Sequence, residues 1–207
     1  MGELKVQKFP EKMADFPVDF SHPNRSLVQG YFEEWVWVNG DRRSFLTYIP
    51  ENLEYCRPCL IVAIPSGKEG TEYAQESGLK KLADEEKLFL FLLESAPSGW
   101  EYGGQDADYM NAVYSAVQSR DYYVTMQDNI YLCGIGDGSF AAHQAARRMA
   151  SEWSGLMTFG DLNGDLNAEH TALRGESDQG EVELKVMGMA AQLPVWMSMT
   201  AKNADNT

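Results

Sequence analysis

The sequence predicts an α/β protein in which a mostly parallel sheet is covered by helices on both faces. Three observations predict it. From residue 59 onward, short apolar runs of strand length alternate with longer stretches of helical period. Ahead of them, two aromatic and β-branched runs flank Asn39-Gly40-Asp41, a hairpin signal. Further on, the apolar run ending at Cys133 passes through Gly134, Gly136 and Gly138 straight into a helical stretch, which makes a strand, a sharp turn and a helix. With 207 residues, the chain is long enough for one sizeable domain and short for two.

Residues 1–30 are rich in Pro, Phe and charge without a clear period, and read as an arm lying over the domain that follows at 31–207. The hairpin strands fall at 32–38 and 43–49, the second ended by Pro50. The sheet strands are expected at 60–64, 88–93, 129–133, 155–159 and 194–199, and the helices at 72–86, 105–119 and 139–153. In the middle helix Ala107, Met110, Val113 and Val117 recur at helical spacing, with Asp106 and Asp108 in the first turn, where the helix dipole favours anions. The stretch 160–188 is polar and contains glycines, and reads as an excursion at the carboxyl edge of the sheet, where such sheets bind their ligands.

Composition excludes several classes. A 44% apolar and 12% aromatic content is that of a globular protein, and no apolar run reaches the roughly 20 residues a membrane helix needs. A net charge of −14 repels nucleic acid and anionic membranes. The N-terminus lacks the apolar core of a secretory signal, so the expected location is cytoplasmic. Cys56-Arg57-Pro58-Cys59 has the C-x-x-C spacing, but it leads into a strand and not onto a helix N-terminus, which argues against a lowered thiol pKa. No second ligand pair follows to make a zinc site. No cofactor and no metal is expected.

Residues Gly134-Ile135-Gly136-Asp137-Gly138 carry the chemistry. In a G-x-S-x-G turn the outer glycines let strand and helix backbones pass closely, while a central serine presents its hydroxyl at the apex. Here the apex is Gly136, which has no side chain to attack a carbonyl. Asp137 and Ser139 stand beside it as the alternative nucleophiles.

The chain from about residue 31 onward resembles the esterase branch of the α/β-hydrolases that includes polyhydroxybutyrate depolymerase-like and feruloyl-esterase-like proteins. The resemblance lies in the N-terminal hairpin, in Cys59-Leu60-Ile61-Val62-Ala63-Ile64-Pro65-Ser66-Gly67, in the helices around 76–86 and 106–113, and in the glycine turn, in that order. It implies an α/β-hydrolase fold and an oxyanion hole built from backbone N–H groups near Ser66 and Gly67 and at Asp137. It also places Asp205 as the candidate acid. The catalytic histidine would follow that acid, whereas His22, His143 and His170 all precede it. The last strand and the histidine-bearing segment of that fold are therefore not found in this sequence, and a further polypeptide or a second copy is expected to complete the sheet.

Three readings follow. The chain is an esterase-like protein without serine-hydrolase activity, whose cleft binds an ester or carbohydrate-linked ligand or a partner. Alternatively it is an active ester hydrolase using Asp137 or Ser139 with a histidine supplied by a C-terminal segment. The third reading is an interaction subunit docking through its open sheet edge. Trp100 and Tyr102, flanked by Gly99, Gly103 and Gly104, are candidates to line the cleft.

Overall fold

The computed structural model describes residues 5–9, 21–22, 25–26, 28–101, 105–120, 123, 127–159 and 195–198. Asn39 and Gly40 form the predicted hairpin turn with positive φ at both residues (51° and 94°), the two-residue geometry whose twist matches that of the flanking strands. It joins β2 (Gly30–Val38) to β3 (Asp41–Ile49) in an antiparallel pair running from Gly30 opposite Ile49 to Val38 opposite Asp41. Next come β4 (Cys59–Ala63), β5 (Phe89–Leu93), β6 (Ile130–Ile135), β7 (Gly155–Phe159) and β8 (Val195–Ser198), which pair in parallel.

β1 (Val6–Lys8) lies on the outer side of β2, so the sheet has eight strands in the order β1-β2-β3-β5-β4-β6-β7-β8. Part of the segment expected to be an arm is thus a strand of the sheet. Farther along the same segment, the Ser26 N–H donates to the Leu53 carbonyl (2.6 Å).

β4 and β5 are buried at every position, because helices cover both their faces. On one face Phe32, Phe45, Ile61, Phe91 and Leu132 meet side chains of α3 (Gln105–Ser119) and α4 (Gly138–Arg148). On the other, Tyr48, Leu60, Val62, Leu92 and Cys133 meet Ala74 of α1 (Gly70–Glu76) and Ala83 of α2 (Leu79–Glu86). Burying one such large apolar side chain contributes roughly 1.5–3 kcal/mol.

The single helix expected at 72–86 is two helices. Gly78 adopts a left-handed φ of 80°, which turns the chain between α1 and α2, and the Ser77 hydroxyl donates to the Tyr73 carbonyl at the end of α1 (2.6 Å). The helix expected to run to residue 153 ends at Arg148; Trp153 lies beyond it, packed edge-on against Tyr114 at 4.7 Å. Glu34, in the middle of β2, is also buried. Its carboxylate accepts from the Thr47 and Tyr123 hydroxyls and from the Arg120 guanidinium. The same Arg120 donates to the Trp35 carbonyl (2.7 Å) and so ties the end of α3 to β2. Among the described residues no helix is long and apolar enough to cross a membrane.

Candidate functional site

The carboxyl ends of β4 and β6 place the residues singled out by the sequence side by side. β6 ends at Ile135, Gly136 turns the chain with φ 60°, and α4 begins at Gly138. The turn is pinned by backbone bonds from the Gly136 N–H to the Phe159 carbonyl (2.8 Å) and from the Ser139 N–H to the Gly136 carbonyl (3.2 Å).

The three glycines have different reasons to be glycine. A Cβ on Gly134 would lie 2.5 Å from the Ser139 Cα and 2.9 Å from the Ala142 Cβ, and one on Gly138 would lie 2.5 Å from the Ala63 carbonyl oxygen. Strand and helix therefore approach closely at both outer positions, as the G-x-x-x-G frame requires. At Gly136 a Cβ would meet, among the described residues, only Pro65, at 3.4 Å, an ordinary contact. Among the described residues the apex has room for a Cβ, and its positive φ is the feature there that favours glycine.

Asp137 occupies the N-cap position of α4, yet its side chain makes no capping bond to that helix. It reaches across to the loop after β4. The Ser66 N–H donates to Asp137 Oδ1 (3.0 Å), and the Ser66 hydroxyl donates to Oδ2. The Ser66 Oγ in turn accepts the Trp100 N–H (3.2 Å). Gly67 follows with φ 74° and no close neighbour for an added Cβ. The Ser66 N–H expected to serve an oxyanion hole is thus bonded within the protein, to the carboxylate beside the apex.

Trp100, expected to line the cleft, is half-buried, with its indole N–H donating to the Ile64 carbonyl (2.7 Å) and its ring packed against the core. It clamps the Ser66 loop. Ser139 is fully buried in the first turn of α4, and its hydroxyl has no partner among the described residues. Ser139 was expected as an alternative nucleophile, and its burial places Oγ out of reach of a ligand arriving from solvent. Tyr102, Gly103, Gly104, His170 and Asp205 lie outside the described residues. His143 falls on α4 and His22 on the exposed N-terminal segment.

Two further groups border the site without any signal in the sequence. Glu94, just past β5, accepts the Gly70 N–H (2.7 Å) at the start of α1. Although its side chain reaches the surface, the packing around its inner part pushes its carboxyl above the ordinary range; the Gly70 bond opposes this, while the charges of Glu69 and Glu33 add to it. Glu69 caps α1 by accepting the Thr71 and Glu72 N–H groups (3.1 and 2.9 Å). Burial raises its carboxyl, but the bonds from the Thr71 hydroxyl and from those two N–H groups outweigh it and leave it below the ordinary range. Cys133, on β6 three residues before the apex, is 2% exposed, and burial pushes its thiol up to about 12. Such a thiol is protonated at neutral pH and is no nucleophile. Cys56 is exposed, Cys59 is buried, and neither forms a disulfide. Among the described residues no cluster of His, Cys, Asp and Glu could hold a metal.

No family model matches the chain, and no curated protein does. Solved structures do. The S-formylglutathione hydrolase FrmB of Staphylococcus aureus is 14% identical, with 82% of this chain and 79% of that one covered at a TM-score of 0.64. The fluorophosphonate-binding serine hydrolase FphF of the same organism is 13% identical, with 82% and 78% covered at 0.60. An S-formylglutathione hydrolase of Agrobacterium tumefaciens is 11% identical, with 83% and 85% covered at 0.53. At these identities the likeness is one of fold, and together with the sheet order it shows that the chain adopts the α/β-hydrolase fold.

Proposed function

We propose that this chain is an esterase-like α/β-hydrolase-fold protein without serine-hydrolase activity, which uses the cleft at the carboxyl edge of its sheet to bind a ligand or a partner. The observation that carries the reading is Gly136. The close backbone approaches at Gly134 and Gly138 support a reading in which Gly136 stands at the apex, a residue with no nucleophilic atom. In triad enzymes, losing the nucleophile costs on the order of a millionfold in turnover.

The neighbouring candidates do not replace it. The Asp137 carboxylate is turned to Ser66 and away from an attacking pose, and Ser139 is fully buried. The ligand class that suits such a cleft is a small ester-like or carbohydrate-linked molecule, met without turnover. A cytoplasmic location fits this reading.

The test is hydrolysis of p-nitrophenyl acetate and butyrate together with fluorophosphonate labelling. The native protein is expected to stay unlabelled and to hydrolyse no faster than an Asp137→Ala, Ser139→Ala variant. Native turnover above that variant overturns the reading and restores an active hydrolase of unusual nucleophile.

A further inference from the structure

We propose that Asp137 decides which ligands the turn at Gly136 admits: its carboxylate holds both donors of Ser66, so the site excludes a ligand's oxyanion and takes a ligand's hydrogen-bond donor, a hydroxyl or an ammonium. The proposal rests on the non-catalytic reading of the same site and deepens it.

Three observations carry it. A backbone N–H has one proton to give and a hydroxyl one, and those of Ser66 both go to the same carboxylate. No donor is left on Ser66 for a carbonyl oxygen that gains charge. Secondly, an aspartate at a helix N-cap ordinarily bonds its own helix, and Asp137 does not. Its side chain is oriented by a loop 71 positions earlier in the chain, and the Trp100 N–H holds that loop in turn. Thirdly, among the described residues a Cβ at Gly136 meets nothing closer than Pro65 at 3.4 Å, which leaves space beside the carboxylate, where a nucleophile's side chain would stand, for a small group of a ligand.

The electrostatics point the same way. A carboxylate offers about four lone-pair directions, of which Ser66 fills two, and those that remain accept. An oxyanion brought to the same place meets a like charge a few ångströms away, on a chain whose net charge is already −14. A hydroxyl or ammonium meets an acceptor. Ester chemistry at this turn is thereby opposed by the missing side chain at residue 136 and weakened by the occupied donors of Ser66, one of the positions expected to supply the oxyanion hole.

The Ser66 amide signal in a proton–nitrogen correlation spectrum of the full chain tests this, with acetate as the oxyanion probe and ethanolamine as the donor probe. In the native protein Ser66 is expected to shift with ethanolamine and to stay fixed with acetate. In Asp137→Ala the two responses exchange, and the Ser66 amide exchanges with solvent at least about fivefold faster, the loss expected for one hydrogen bond. Asp137→Asn keeps an acceptor for Ser66 but not the charge, so it is expected to retain the slow exchange and lose the ethanolamine response, which keeps the test open should the alanine variant fail to fold. The proposal is overturned if acetate moves the native Ser66 amide as far as it does in Asp137→Ala, or if the ethanolamine response survives in either variant. Ester hydrolysis by the native protein would sink the non-catalytic reading through a separate measurement.

Discussion

Replacing the glycines of the β6–α4 turn one at a time should split them into two classes. In Gly134→Ala the new methyl lies 2.5 Å from the Ser139 Cα, and in Gly138→Ala it lies 2.5 Å from the Ala63 carbonyl oxygen. Both obstacles are backbone, so no rotamer change relieves them, and strand and helix must part by close to an ångström. Overpacking of this kind costs about 1–3 kcal/mol, and at two backbone contacts the upper end applies. Among the described residues Gly136→Ala meets only Pro65, at 3.4 Å. It costs about 1–2 kcal/mol for a left-handed φ, offset by about 0.4–1 kcal/mol from the stiffer unfolded chain, which leaves about 0–1.6 kcal/mol. For a chain of this length each kcal/mol moves the Tm by about 2–4 °C, so at the same slope the outer variants should melt about 6–12 °C below the native protein and the central one by about half as much or less, at most about 6 °C. Thermal melts followed by far-ultraviolet circular dichroism, with urea titrations to check the order, read the difference. Equal losses at all three positions, or an unperturbed Gly134→Ala, would refute the account of the turn as a frame with tight flanks and a roomy apex.

The carboxyl of Glu94 is raised in the folded protein, chiefly by burial, so the folded state favours its protonated form and stability falls as pH rises from the ordinary Glu value through the raised one. Glu94→Gln keeps an acceptor for the Gly70 N–H and should make the protein more stable at pH 7 and remove Glu94's own share of the pH dependence across that window; an unchanged pH profile of the Tm counts against this. Thiol titration at pH 8 should count one reactive cysteine in the native protein, the exposed Cys56, and all three in urea, because Cys59 and Cys133 are buried with raised thiol pKa values. Native labelling of Cys133 would show the β6 strand to be open to solvent.

Much of the fold was legible because the signals were local. Asn39-Gly40 dictates its turn by the φ values those two residues tolerate, and the continuous apolar runs at 60–64 and 88–93 could only be strands covered on both faces. The break at Gly78 was also local, but a periodic stretch of Leu79, Leu82 and Ala83 following Ala74 hides a glycine that turns the chain. Val6-Gln7-Lys8 offered three exposed residues, too few and too polar to announce a strand, and it pairs only because the edge of β2 is there to receive it.

The site was legible only in its parts. Gly134, Gly136, Gly138, Ser66 and Asp137 could each be named from motif and order, whereas the bond between Ser66 and Asp137 joins loops 71 residues apart and leaves no mark in either. Trp100 and Ser139 were judged by residue type, aromatic and hydroxylic. What decides their roles is burial and the Ile64 carbonyl, which depend on how the strands stack. Glu34 is the sharpest case. In sequence it is one of two adjacent glutamates, and only the arrival of Arg120 and Tyr123 from beyond α3 makes a buried carboxylate tenable.

The order of strands also dictates an order of assembly. β5 separates β3 from β4 in the sheet, although it follows both in the chain. During synthesis β1 and the β2–β3 hairpin leave the ribosome first, and β3 has no strand to join on its inner flank until Leu93 has emerged. β4 waits in the same way for β5 on one flank and β6 on the other. The early part of the chain therefore spends its first moments as a hairpin extended only by the three-residue β1, with Trp35 and Trp37 on its surface, and a hairpin with so little beside it is marginal alone. The nascent protein is most vulnerable to misassociation in this interval.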